Sequence, residues 1–218
     1  GTQARAGGAA AGFCRDNVGM SRTLYVIPIV HAEADLGRIA GTLRALSSDE
    51  AWAEKQRAVG DVWNRIAAWC RAVDPERLFI FQDGLPDDPV AERIVEDLAV
   101  QGSPNHRVIR DLLRRGAVLV GTEPPDLLLR EYEYACSAAR AAETGTPVHQ
   151  GADRNAITLL ELRDRAIAAR IDASLSKGDR GVLFVGMLHD VTSKLPADID
   201  VLLPLGTNGM TGETGVAG

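Results

Sequence analysis

Four apolar runs punctuate the chain, and each stops at a side chain that can carry a proton. Leu24 to Val30 stops at His31, Leu78 to Gln82 at Asp83, Ala117 to Thr122 at Glu123, and Gly181 to Leu188 at His189. Short apolar, β-branched runs bounded by turn residues predict buried strands. Between them apolar residues recur every third or fourth position, the helical period. This spacing predicts a helix over 35–45 and a longer one over 49–73, capped by Ser48 and carrying Val59, Val62, Trp63, Ile66 and Trp69. Strand two is expected to end at Phe81, with Asp83 to Pro89 forming a turn into a helix that holds Val90, Ile94 and Leu98. Gly102-Ser103-Pro104 breaks that helix, and a short one ends at Gly116, a usual helix stop. Helices over 125–143 and 156–176 follow strand three, Gly178 ends the second of them, strand four runs over 181–187, and a short fifth strand is expected over 199–203.

Strands alternating with helices imply parallel pairing through right-handed crossovers. The expected fold is therefore a single-domain layered α/β sandwich, with a mainly parallel sheet of about five strands flanked by helices. The 218 residues suit one such domain over 20–205. Residues 1–19 are expected to be an extension and 206–218 a tail with little packing power.

Charge narrows the partners. A net charge of −6 and no basic stripe disfavour nucleic acid. No stretch is long and apolar enough for a membrane span. A small-molecule substrate or ligand is the expected partner, and homo-oligomerisation is left open. Cys14, Cys70 and Cys136 form no CxxC pair, so neither a disulfide framework nor a cysteine metal site is implied, and a cytoplasmic setting is expected.

Parallel strands gather their carboxyl ends at one sheet edge, where open α/β sheets bind ligands. His31, Asp83, Glu123 and His189 would all meet there. In His31-Ala32-Glu33-Ala34-Asp35, an imidazole and a carboxylate two residues apart can share a metal or a water. Glu33 and Asp35 would equally suit the start of the next helix. His189 can act as a general base or ligand, or as a core histidine bonded to a carbonyl. Asp83 and Glu123 could complete a nitrogen and oxygen site or serve only their turns. Asp164 falls on the apolar stripe Leu160, Ile167, Ile171 and Leu175, so it either finds a partner, such as Arg163 or the site, or sits at the rim. His106 and His149 are expected to be solvated. No GxSxG, P-loop, HExxH or GxGxxG stands at a credible position.

Four segments carry a resemblance to a known group. They are Ile29-Val30-His31, Asp83 after strand two, Glu161 to Ala168 with Arg163, and Gly186-Met187-Leu188-His189. In layout they resemble the superfamily of TraB-like proteins, Tiki metalloproteases, ChaN-like haem-binding proteins and erythromycin esterase, although Asp83 stands where glutamate is usual. The resemblance implies a hydrolase acting on an ester or amide, or a protein that only binds a ligand or haem-like cofactor. In the first case His31 or His189 would take a proton from water. Asp83, Glu33 and Glu123 would orient the histidines or hold a divalent Mn, Zn or Fe, with His31, Glu33 and His189 as candidate ligands. Arg163 would stabilise developing negative charge, with Asp164 beside it.

Overall fold

The computed structural model describes residues 21–30, 44, 48–144 and 150–206, apart from the side chains of residues 139, 142–144 and 150–153. The expected helix over 35–45 apart from Arg44, the extension over 1–19, nearly all of the tail and the residues His31, Glu33, Asp35 and His149 lie outside the described residues.

The elements are β1 (Arg22–Ile29), α1 (Asp49–Ala72), β2 (Leu78–Pro86), α2 (Ala91–Val100), α3 (Pro104–Arg114), β3 (Val118–Glu123), α4 (Pro125–Thr144), α5 (Gln150–Ser174), β4 (Arg180–Gly186) and β5 (Ile199–Leu202), with one 3-10 turn over Thr192–Lys194. The strands form one sheet in the order β3-β2-β4-β1-β5, and every pairing is parallel. The layered α/β fold expected from the alternation is the fold observed. Ser48 caps α1 by accepting a hydrogen bond from the Ala51 N–H at 3.2 Å. Ser103 caps α3 in the same way, with Pro104 just behind it, where its missing N–H costs nothing. No described helix is long and apolar enough to cross a membrane.

Strand alternation divides the core between the two faces of the sheet. On one side Ile27, Ile29, Leu78, Ile80, Val182 and Phe184 pack against α1, α2 and α3 through Trp63, Ile66, Val95 and Ile109. On the other, Leu24, Val26, Phe81, Leu183 and Val185 meet Ile167 and Ile171 of α5 and Leu175 just past its end. The connections β1 to β2 and β2 to β3 both move toward the β3 edge, with helices on the first face. Those from β3 to β4 and from β4 to β5 move the opposite way, with α5 and Val191 on the second face. All crossovers thus share one hand, as the chirality rule requires. The chain leaving β2 and the chain leaving the adjacent β4 therefore depart in opposite directions on opposite faces. Their carboxyl ends mark the topological switch point of the sheet.

Strand two does not stop at Phe81. It runs to Pro86, but its register with β3 shifts between Gln82 and Pro86, leaving Asp83, Gly84 and Leu85 without a ladder partner. Gly84 supplies the φ of +74° that such a bulge calls for. Leu85, 2 % exposed, re-enters the core beyond it. Thr122 stitches the bulge by donating from Oγ1 to the Gln82 carbonyl at 2.5 Å, with the Leu85 carbonyl at 3.2 Å. The Asp87 N–H donates to the Glu123 carbonyl at 2.7 Å. The turn-rich composition of 83–89 hides a strand because its neighbour and one apolar anchor override local preference.

The bulged segment lies directly over Gly121, where an added Cβ would come within 2.1 Å of the Pro86 carbonyl oxygen and 2.7 Å of the Asp87 Cα. Backbone on backbone cannot yield as a side chain can. Gly121→Ala is expected to destabilise the fold by about 1–3 kcal/mol or more, measured by urea unfolding, and to shift the amide signals of residues 83–87.

Candidate active site

The switch point is lined by groups from four elements. Asp83 comes from the β2 bulge, Glu123 from the last residue of β3, Arg163 and Asp164 from α5, and His189 from three residues past β4.

Helix α5 buries Arg163, Asp164, Ile167, Ala168 and Ile171, and Leu175 just past its end is buried with them. The stripe that packs on the sheet thus continues, one turn beyond Ile167, as an arginine and an aspartate. Neither can be left unpaired there. Asp164, 2 % exposed, accepts from the His189 ring at Nδ1, 2.6 Å away, through Oδ1 and from the Asp190 N–H at 2.9 Å through Oδ2. Arg163 turns the other way. Its Nε and Nη2 donate to Glu123 Oε2 and Oε1 at 2.5 and 3.1 Å, and its Nη1 pairs with Glu131. Burial acts to lower the Arg163 pKa, but the Glu123 bond and the charges of Glu123, Glu131 and Asp83 leave it above its ordinary value. Glu123 is fully buried and also accepts the Gly84 N–H at 2.6 Å, so one carboxylate fastens both α5 and the bulge.

His189 lies between two carboxylates. With the ring proton on Nδ1 facing Asp164, Nε2 faces Asp83 Oδ2 at 3.4 Å. Asp83 Oδ2 also accepts the Gly186 N–H across the β2–β4 gap at 2.8 Å, and its Oδ1 accepts from the Gln82 amide at 2.8 Å. Burial holds the Asp83 carboxyl above the ordinary aspartate value, against the opposing effects of the Gly186 N–H, His189 and Arg163. A carboxyl with raised proton affinity and an imidazole nitrogen facing each other are suited to exchange a proton with a molecule placed beside them.

Of the residues expected at the site, Asp83, Glu123, Arg163, Asp164 and His189 are brought together, while His31 and Glu33 lie outside the described residues. β1, which leads to His31, ends level with the site, Ile29 pairing with Gly186. Asp164 takes His189 as its partner rather than Arg163 or the rim. Among the described residues no group of three or more His, Cys, Asp or Glu side chains is arranged to hold a metal, and His189 is the only described member of the expected ligand set.

His106 corrects an expectation. It is 9 % exposed rather than solvated, because its Nδ1 lies 2.7 Å from Ser103 Oγ at the start of α3. Two further polar residues escaped the sequence reading. Gln82 and Asn105 are 4 % and 3 % exposed and bonded to each other at 2.8 Å. The available signal was an amide at the end of an otherwise apolar strand run.

No protein-family model matches the chain, and no curated protein or solved structure matches it.

Two outcomes follow from these contacts. Arg163→Met leaves the buried Glu123 charge without its main partner and is expected to cost about 3–5 kcal/mol in chemical unfolding, much of it recovered when Glu123→Gln is added. Because the native Asp83 pKa lies above the unfolded value of about 3.9, the native state binds more protons between those two values. The contribution of Asp83 to stability therefore falls as pH rises through that window. Unfolding free energy measured from about pH 4 upward should decline for the wild type relative to Asp83→Asn.

Proposed function

We propose that this chain is a hydrolase that uses Asp83 and His189 to activate water against an ester or amide of a small molecule or peptide. The observation that carries the proposal is the Asp164–His189–Asp83 arrangement at the sheet's switch point. Asp164 accepts the Nδ1 proton, orients the ring and stabilises it when it becomes charged, the part a carboxylate plays behind a catalytic histidine. Nε2 is left facing Asp83, a carboxyl of raised proton affinity. In the proposed reaction, water gives a proton to the Nε2 and Oδ2 pair as its oxygen bonds to the carbonyl carbon. The tetrahedral intermediate then expels the alkoxide or amine, which receives the same proton. No residue needs to be modified covalently, and the pair returns to its starting state.

The layout resemblance to the TraB, Tiki, ChaN and erythromycin esterase group, which picks out His31, Asp83, Arg163 and His189, supports the roles of Asp83 and His189. Arg163 acts here through Glu123 rather than on substrate directly, because Nε, Nη1 and Nη2 all pair with Glu123 or Glu131. That commitment favours a second reading, binding of a small ligand without turnover. Native mass spectrometry with metal analysis separates the two. A retained stoichiometric organic ligand with no turnover supports binding, and stoichiometric Mn, Zn or Fe supports metal-assisted chemistry. A cytoplasmic setting is proposed with it, in keeping with the free thiols of Cys70 and Cys136.

The test is a screen of ester and amide substrates with wild type, His189→Ala and Asp83→Asn. Each variant is expected to lose about 10²–10⁴ in kcat while remaining folded by circular dichroism. Activity that survives both substitutions overturns the proposal.

A further inference from the structure

We propose that Gln82 and Asn105 are positioning residues that hold the Asp83 carboxylate toward His189, an inference that rests on the dyad reading of the site. Gln82 occupies a position that alternation assigns to the α1–α3 face, in line with Leu78 and Ile80. An aliphatic residue would fill that place without a desolvation cost. Instead an amide stands there, 4 % exposed, against a second amide, Asn105, 3 % exposed on the first turn of α3. Buried amides cost about 1–3 kcal/mol each when unpaired, so the pair is a poor way to fill a core and a good way to impose a direction.

The direction comes from Asp83. An ionised carboxylate only accepts hydrogen bonds, so Gln82 must present Nε2, which donates to Asp83 Oδ1 at 2.8 Å and to the Asp83 carbonyl at 2.9 Å. Gln82 Oε1 is thereby turned away and accepts from Asn105 Nδ2 at 2.8 Å. Reversing either amide would set oxygen against oxygen. Asn105 Oδ1, buried and without a hydrogen-bond partner, ends the chain. The α3 N-terminus that carries Asn105 is itself pinned, since Ser103 Oγ accepts the His106 N–H at 3.3 Å and lies 2.7 Å from His106 Nδ1.

Asp83 needs such a grip. It sits in the bulge, where it has no register partner on either neighbouring strand. By holding Oδ1 and the main-chain carbonyl together, Gln82 sets the side-chain torsion and leaves Oδ2 for Gly186 and His189. Neither amide touches His189.

Gln82→Met keeps the length and removes the donor, and Asn105→Ala removes only the bond behind it, serving as the second variant should Gln82→Met not fold. With the ester or amide that the wild type turns over, both are expected to lower kcat about 10- to 100-fold with KM nearly unchanged, the mark of an interaction that matters in the transition state. Crystal structures of the same variants read the inference without any activity. Asp83 Oδ2 is expected to swing away from Gly186 N or to move beyond 3.4 Å from His189 Nε2. Asp83 retained in its wild-type rotamer in both variants overturns the positioning role. So does an unchanged kcat, or a rise in KM alone. A wild type that turns over nothing, with Asp83 displaced in the variants, overturns the hydrolase reading and leaves the positioning role standing.

Discussion

Glu123 is a carboxylate that water does not reach, and the architecture around the cleft follows from what its two oxygens require. A charge removed from solvent is tolerable only when donors surround it. Here the donors are the Arg163 guanidinium and the backbone N–H of Gly84. The first draws α5 down onto the end of β3. The second holds the β2 bulge in the shape that brings Asp83 up beside His189. A buried pair of this kind adds little net stability over a well-packed apolar contact. What it adds is a single permitted arrangement of three elements that the apolar core alone would leave free to slide.

The sheet order explains why this arrangement sits where it does. β2 and β4 are neighbours whose continuations leave on opposite faces. Hydrogen-bonding groups from the bulge and from the segment after β4 meet there, where the regular ladder has run out. The bulge exploits that loss of regularity. It ends the pairing of β2 with β4 at Gln82 while β2 continues along β3 to Pro86, so the Asp83 side chain can meet Gly186 and His189.

Much of this was legible in the chain itself. The parallel layered fold followed from alternating strand-like and helix-like periods, and the edge holding Asp83, Glu123 and His189 followed from the residues at which the apolar runs stop. Asp164 stood out because an acid interrupted an apolar stripe. The length of β2 was not legible, since Gly84 and Pro86 are turn residues by local preference and only pairing with β3 and the burial of Leu85 make them strand. Gln82 and Asn105 were missed for a related reason. Each is polar and unremarkable in sequence, and its importance arises from a partner brought close by the crossover from β2 to α3. Arg163 was expected to face developing charge, whereas the fold gives it two carboxylates to satisfy, and Glu131 could not be anticipated as the second.

Arg163 and Asp164 are consecutive, so their side chains leave α5 about 100° apart around its axis. One reaches toward β3 and the other toward the segment after β4. Any roll of the helix that tightens one contact loosens the other. The pair therefore acts as an opposed set of stays that fixes the angular phase of α5. That phase is carried along the helix to Ile171, about two turns away, so the packing at the far end of the sheet and the pitch of the His189 ring are settled by the same rotation.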